Sequence, residues 1–283
     1  MTQQILTDRP AISVDELKRA WAAVQAGDFR ANTARHTVPA TQPRAAASAP
    51  GEWQAGPGEL FVPVLSCGGS TGATTLAVAI ATTAGVPARV VECASVTSSG
   101  LAAASTAELG SYATSWSRGA RDQVLLERVT DILTTAEEIP HPSTPDRPVS
   151  LTVLDIGWEL GQVLTTPGWI GDAVRTARHL VLTSTATVPG MRRLEGALDL
   201  LDGNRACAAV LGPRRKKWPK SVEHTAGRAT RDLERDGLLF AIPEDPGLAV
   251  DGLTGAPLPK PLLTAAHQLV QHLLDDTSKG TPQ

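Results

Sequence analysis

The segment Cys67-Gly68-Gly69-Ser70-Thr71-Gly72-Ala73-Thr74-Thr75 brings three glycines and four side-chain hydroxyls together between an apolar run and an Ala/Leu/Val-rich stretch. If the run before it is a strand and the stretch after it a helix, several backbone N–H groups converge on one point. The helix dipole adds positive potential there, so the concavity suits a phosphate group. Glycine lets the backbone wrap closely around a ligand, and the hydroxyl of Thr74 falls where a magnesium ligand is required. An ordinary Gly/Ser/Thr turn joining strand to helix is the competing reading of the fragment taken alone.

Three other features carry chemistry. Asp155 follows Val153-Leu154, and Glu92 follows Val90-Val91. On their own, Asp155 reads equally as a strand-end carboxylate capping the next turn, and Glu92 as a solvated loop residue. The run Arg214-Arg215-Lys216-Lys217-Trp218-Pro219-Lys220 packs five cations into seven positions. Such a run is a solvated loop, a phosphate-backbone contact with Trp218 stacking on bases, or a source of cations for a nearby anion site. Cys67, Cys93 and Cys207 are odd in number and widely spaced, which argues against a disulfide framework or a zinc site.

The elements that must position these groups follow from periodicity. Short apolar runs predict strands at 60–66, 88–91, 150–154, 179–183, 208–211 and 238–241, alternating with helices near 74–84, 120–138, 168–177 and 188–202. Leu262, Ala266, Leu269, Val270 and Leu273 predict an amphipathic closing helix. This alternation is the signature of an α/β fold with a doubly wound, mostly parallel sheet. Pro63 conflicts with it, since a proline inside a central strand removes a ladder donor.

Four segments are expected. Residues 1–28 form an N-terminal helical segment, in which Ser13 and Glu16 make a capping box and Val14, Leu17, Trp21 and Val24 share a face. Residues 29–58 are a linker rich in Ala, Pro, Thr, Arg and Gly, 59–276 the main domain and 277–283 a disordered tail. The chain has 283 residues, 42% of them hydrophobic, and a net charge of -3, which excludes a disordered chain and bulk electrostatic attraction to nucleic acid. Without a basic apolar leader or a run of roughly 20 apolar residues, the expected location is cytoplasmic, with no membrane insertion.

The glycine loop resembles the P-loop of the ParA/MinD family of partition and positioning ATPases, whose pattern is G-K-G-G-x-G-K-T-T. Gly69, Gly72, Thr74 and Thr75 match it. Cys67 and Ser70 stand where the family has glycine, Gly68 where it has its signature lysine, and Ala73 where it has the lysine that contacts the β- and γ-phosphates. In the same order along the chain, Val153-Leu154-Asp155-Ile156-Gly157 is similar to the Walker B strand end. Ala208-Ala209-Val210-Leu211-Gly212 and Phe240-Ala241-Ile242-Pro243-Glu244-Asp245 are similar to later family segments.

The resemblance implies a P-loop fold in which residues Gly68 to Thr75 and Pro243 bind ATP, and Thr74 and Asp155 hold Mg2+, with binding weak or absent. It makes Glu92 and Asp155 the catalytic candidates, Glu92 replacing the aspartate that orients the attacking water. With both lysines missing, several kcal/mol of electrostatic barrier lowering is lost, so the implied protein is a pseudo-ATPase. It would act as a homodimer with DNA or a partner protein, in plasmid or chromosome partition, conjugative transfer or positioning of a complex. Two alternatives stand: an active ATPase whose phosphate-binding cations come from elsewhere, Arg214 and Arg215 being candidates, or an ATP-independent nucleic-acid module using Arg214, Arg215, Lys216, Lys217 and Lys220.

Overall fold

A computed structural model describes residues 53–113, 115–201 and 206–278. The chain divides into two units, Met1–Ala47 and Ser48–Gln283, and every described residue belongs to the second. The helix expected within 13–27 lies outside the described residues.

Among the described residues nine strands form one sheet: β1 (Leu60–Ser66), β2 (Ala88–Cys93), β3 (Ala107–Tyr112), β4 (Trp116–Arg121), β5 (Val124–Val129), β6 (Leu151–Ile156), β7 (Leu180–Thr185), β8 (Ala206–Gly212) and β9 (Leu239–Pro243). Their order is β3-β4-β5-β2-β6-β1-β7-β8-β9. From β5 to β9 all neighbours run parallel, while β4 is antiparallel to both β3 and β5. Every residue of β2 and β6 is buried, because helices cover both faces, and Arg89, Glu92, Thr152 and Asp155 are buried there among apolar neighbours.

Alternation along β1 separates two cores. Val62 and Val64 face a cluster with Leu76 and Ile80 of helix α1 (Ala73–Thr83) and Leu262, Ala266 and Leu269 of helix α8 (Lys260–Ser278). Leu65 faces the other, built with Ile170 of α3 (Trp169–Thr176) and Met191 and Leu194 of α4 (Val188–Leu201). Shorter helices α2 (Leu160–Thr165), α5 (Lys220–Thr225), α6 (Arg228–Arg235) and α7 (Pro246–Asp251) complete the described unit.

Pro63 is accommodated by the stagger of the sheet. Leu60 donates its N–H to Ser150 on the β6 side and Cys67 to Thr183 on the β7 side, so strand alternation points position 63 toward β7. The β1–β7 ladder begins only at Val64 paired with Val181. The missing donor therefore falls beyond the end of that ladder.

The helix expected at 120–138 does not form. Residues 116–129 make the β4–β5 hairpin instead, turning at Asp122, whose φ of 51° is one that aspartate tolerates. The apolar run Val124-Leu125-Leu126 is buried between two layers, and lacks the period-two alternation that marks a strand with one wet face. Beyond it, Ala136–Glu138 is a single 3-10 turn. Two segment ends also differ from composition. Trp53, within the expected linker, packs edge-on against Phe61 and Trp169 at ring separations of 5.7 and 5.4 Å. Helix α8 continues through Ser278, two residues into the expected tail.

Candidate functional site

At the carboxyl ends of the central strands, the helices after β1 and β7 diverge to opposite faces of the sheet, α1 to one core and α4 to the other. Adjacent parallel strands with diverging helices leave a crevice at that edge, where open α/β sheets bind ligands. The loop Cys67 to Gly72 occupies it. Ser66, the last residue of β1, pairs with Thr183 of β7.

Hydroxyls hold the loop in a curl. Gly68 N–H donates to Ser66 Oγ at 3.0 Å, Thr71 Oγ1 donates to the same oxygen at 3.0 Å, and Thr71 and Thr183 share a hydroxyl hydrogen bond of 2.7 Å. Ser66 Oγ also contacts the Gly68 carbonyl. Ser70 and Gly72 take positive φ values of 58° and 78°, and Gly72 is the position from which α1 starts. The glycine there removes the penalty that a side chain would incur. No side chain caps α1, and its first internal bond is Leu76 N–H to the Gly72 carbonyl at 2.9 Å. The amides of Ala73, Thr74 and Thr75 precede that bond, and among the described residues nothing accepts from them. A Cβ at Gly69 would meet nothing within 4 Å, so the mouth of the loop is open.

Facing the loop are the two carboxylates singled out in the sequence. Glu92 and Asp155 are register partners on β2 and β6, 2% and 3% exposed, and neither makes an ion pair among the described residues. Burial and the neighbouring Glu92 charge push the Asp155 carboxyl up to about 7, while a hydrogen bond with Thr74 pulls the other way. That hydrogen bond ties the first turn of α1 to the end of β6. Glu92 is no solvated loop residue: its oxygens accept from Ser99 Oγ and from the backbone N–H groups of Gly100 at 2.9 Å and Leu101 at 3.1 Å. These bonds hold the segment after β2 against the site, where a Cβ on Gly100 would lie 3.9 Å from the Thr74 methyl. Two adjacent buried carboxylates without a counter-cation, beside a threonine hydroxyl, form a hard oxygen set that fits Mg2+.

Pro243, the last residue of β9, pairs with Gly212 at the end of β8, and Leu211 lies 3.8 Å from a Cβ built on Gly72. Pro243 thus belongs to the same sheet edge as the loop. Cys67 is half-buried, and burial raises its thiol to about 12, so it is a neutral side chain at neutral pH.

The basic run is divided by the fold. Arg215 pairs with Glu223 at 3.0 Å and Glu234 at 2.8 Å, and its guanidinium lies 4.6 Å from the Trp218 ring. Trp218 is 6% exposed and donates its indole N–H to the Pro213 carbonyl, so it does not present a face for stacking on bases. Arg214, Lys216, Lys217 and Lys220 are exposed.

Two groups escaped the sequence reading. Arg193, in the second turn of α4, lies over Gly68: a Cβ there would be 2.9 Å from Arg193 Nη1 and 3.3 Å from its Cδ. At the opposite end of the sheet, Arg89 is fully buried between Glu59 and Glu127, each 3.1 Å away, and Arg118 joins Glu127 at 2.7 Å. A groove lined by Trp53, Glu59, Arg89, Ser143 and Pro148 opens there, in which Glu59 and Arg89 are paired with each other. Arg193 ends the segment Val188-Pro189-Gly190-Met191-Arg192-Arg193, which is similar to a family helix start, but no sequence signal gives either arginine a role, so only proximity across the fold reveals it.

No family model matches the chain, and no curated protein matches it in sequence. Its fold does match solved structures. A chain of the MinC:MinD cell division protein complex of Aquifex aeolicus is 19% identical with a TM-score of 0.50, over 79% of this chain and 98% of that one. The cell division ATPase MinD of Pyrococcus furiosus is 15% identical with a TM-score of 0.51, over 76% of this chain and 98% of that one. The described unit therefore has the α/β, mostly parallel fold of the ParA/MinD-type P-loop ATPases.

Proposed function

We propose that this chain is a ParA/MinD-like nucleotide-binding protein that takes the phosphates of ATP into the loop Gly68 to Thr75 and hydrolyses ATP poorly. One observation carries the reading. The unpaired amides of the α1 start, the half-buried Thr74 and the buried Asp155 converge on one sheet edge, an anion cradle beside a cation-deficient oxygen set. Thr74 and Asp155 would hold Mg2+, which when bound neutralises phosphate charge. The open backbone at Gly69 admits the phosphate tail, and the Gly212–Pro243 strand ends lie where the base side of the nucleotide would rest.

Poor turnover follows from the residues. Ala73 offers no cation to the tail, and Glu92 holds the segment after β2 with the oxygens that would otherwise orient water. A protein of this kind works as a nucleotide-dependent homodimer that engages DNA or a partner protein, in partition, conjugative transfer or positioning of a complex. Among the described residues no helix is long and apolar enough to cross a membrane.

Thermal melting with ATP and Mg2+ tests the proposal. A ligand at 100 times its Kd stabilises by about 2.7 kcal/mol, so the melting temperature rises with nucleotide, and less so when Thr74 is replaced by valine. An unchanged melting curve at millimolar ATP would sink the reading.

A further inference from the structure

We infer that Arg193 is a phosphate-contacting cation of this site, reaching from α4 into the space that the missing side chain of Gly68 leaves. The inference rests on the nucleotide reading above and adds a residue that the loop itself does not contain.

The geometry is specific. Nη1 and Cδ of Arg193 lie 2.9 and 3.3 Å from the Cβ that any other residue would carry at position 68, so guanidinium and side chain compete for one volume. Gly68 thus leaves open the volume that the end of the arginine occupies. The base of the arginine is fixed: Thr187 Oγ1 accepts the Gly190 N–H at 3.1 Å, Ser184 Oγ donates to the Gly190 carbonyl at 2.8 Å, and β7 is tied to the loop through Thr183 and Thr71. Arg193 is exposed and has no carboxylate partner among the described residues. Glu195, two residues on, is occupied by the backbone N–H groups of Ala229 and Thr230 and the Thr230 hydroxyl.

A solvated guanidinium held against a loop of free amides adds the one thing the loop lacks, a positive charge with a planar donor fork that matches phosphate oxygens. The basic run after β8 is a poorer source. Its best-anchored member, Arg215, is already committed to Glu223 and Glu234.

Calorimetric titration of the full chain with Mg-ATP, ADP and AMP tests this. Arg193→Ala is expected to weaken ATP about tenfold or more while changing AMP less than about twofold, and Arg193→Lys to recover part of the loss. Gly68→Val, which places a branched side chain in the arginine's volume, is expected to reproduce the alanine phenotype with Arg193 intact. Circular dichroism melts of the free variants within a degree or so of the parent show that folding is not the cause, because Arg193 is solvated. If the parent binds ATP and Arg193→Ala binds it equally well, the assignment is overturned and the nucleotide reading survives. If the parent binds none of the three nucleotides, the nucleotide reading falls and takes the assignment with it.

Discussion

Asp155 and Glu92 are cross-strand neighbours in register at the carboxyl edge of the sheet, both buried, both acidic, with the Thr74 hydroxyl on the Asp155 carboxyl. Like charges in a desolvated setting make the ionised form of Asp155 costly. The arrangement is a local instability, and instabilities of this kind are retained where a ligand relieves them.

Replacing Asp155 by Asn should therefore stabilise the nucleotide-free protein, and do so in a pH-dependent way. At pH below the reference value of 3.8 the carboxyl is neutral in both folded and unfolded chains, and the variant gains nothing. As pH rises from there to about 7 the unfolded chain ionises first, so the parent loses stability, up to about 4 kcal/mol at 1.36 kcal/mol per pKa unit. Urea melts of parent and variant should diverge between pH 4 and pH 8, with the variant the more stable. Equal stability at pH 8 would show that the carboxyl titrates normally.

Arg89 offers the opposite case. Truncation to alanine leaves Glu59 buried without its cation and Glu127 with Arg118 alone, which costs about 3–5 kcal/mol. The double change Arg89→Met and Glu59→Gln, which removes that pair together and leaves Glu127 with Arg118, should cost much less. Equilibrium unfolding separates the two, and equal losses would mean that packing and not charge dominates.

Gly190 sets the start of α4. A Cβ there would lie 2.3 Å from the Thr185 carbonyl oxygen, a backbone atom that cannot swing aside. Gly190→Ala is expected to destabilise by about 1–3 kcal/mol through overpacking and to displace Arg193 with its helix. Gly196, where a Cβ meets nothing within 4 Å, is the control: Gly196→Ala should be neutral or slightly stabilising, since it lies inside the same helix.

The basic run should split under mutation. Arg215→Ala removes two ion pairs and a stacked ring, and is expected to cost about 1 kcal/mol. Alanine at Arg214, Lys216, Lys217 and Lys220 together should leave the melt unchanged, because these side chains are solvated. If the run contacts DNA, that quadruple variant loses affinity and flattens the salt dependence by about one unit of log–log slope per contact removed.

Much of this protein was legible in one dimension. Period and punctuation located six of the seven strands of the parallel stretch and the helices after β1 and β7, since elements buried on both faces are mostly apolar along their length. The strand, glycine loop and helix sequence placed the anion cradle, because hydroxyl and glycine side chains act on their own neighbouring backbone. The hairpin of β4 and β5 was misread as helix, because burial on both faces erased its alternation. What folding alone decided was which distant groups meet: Glu92 beside Asp155, Arg89 between two glutamates, and Arg193 over Gly68. Local interactions reach a few residues and leave a pattern in the string. Groups brought together from 63 or 125 residues apart, as Asp155 and Arg193 are from Glu92 and Gly68, leave none, because their proximity is set by sheet order and helix docking.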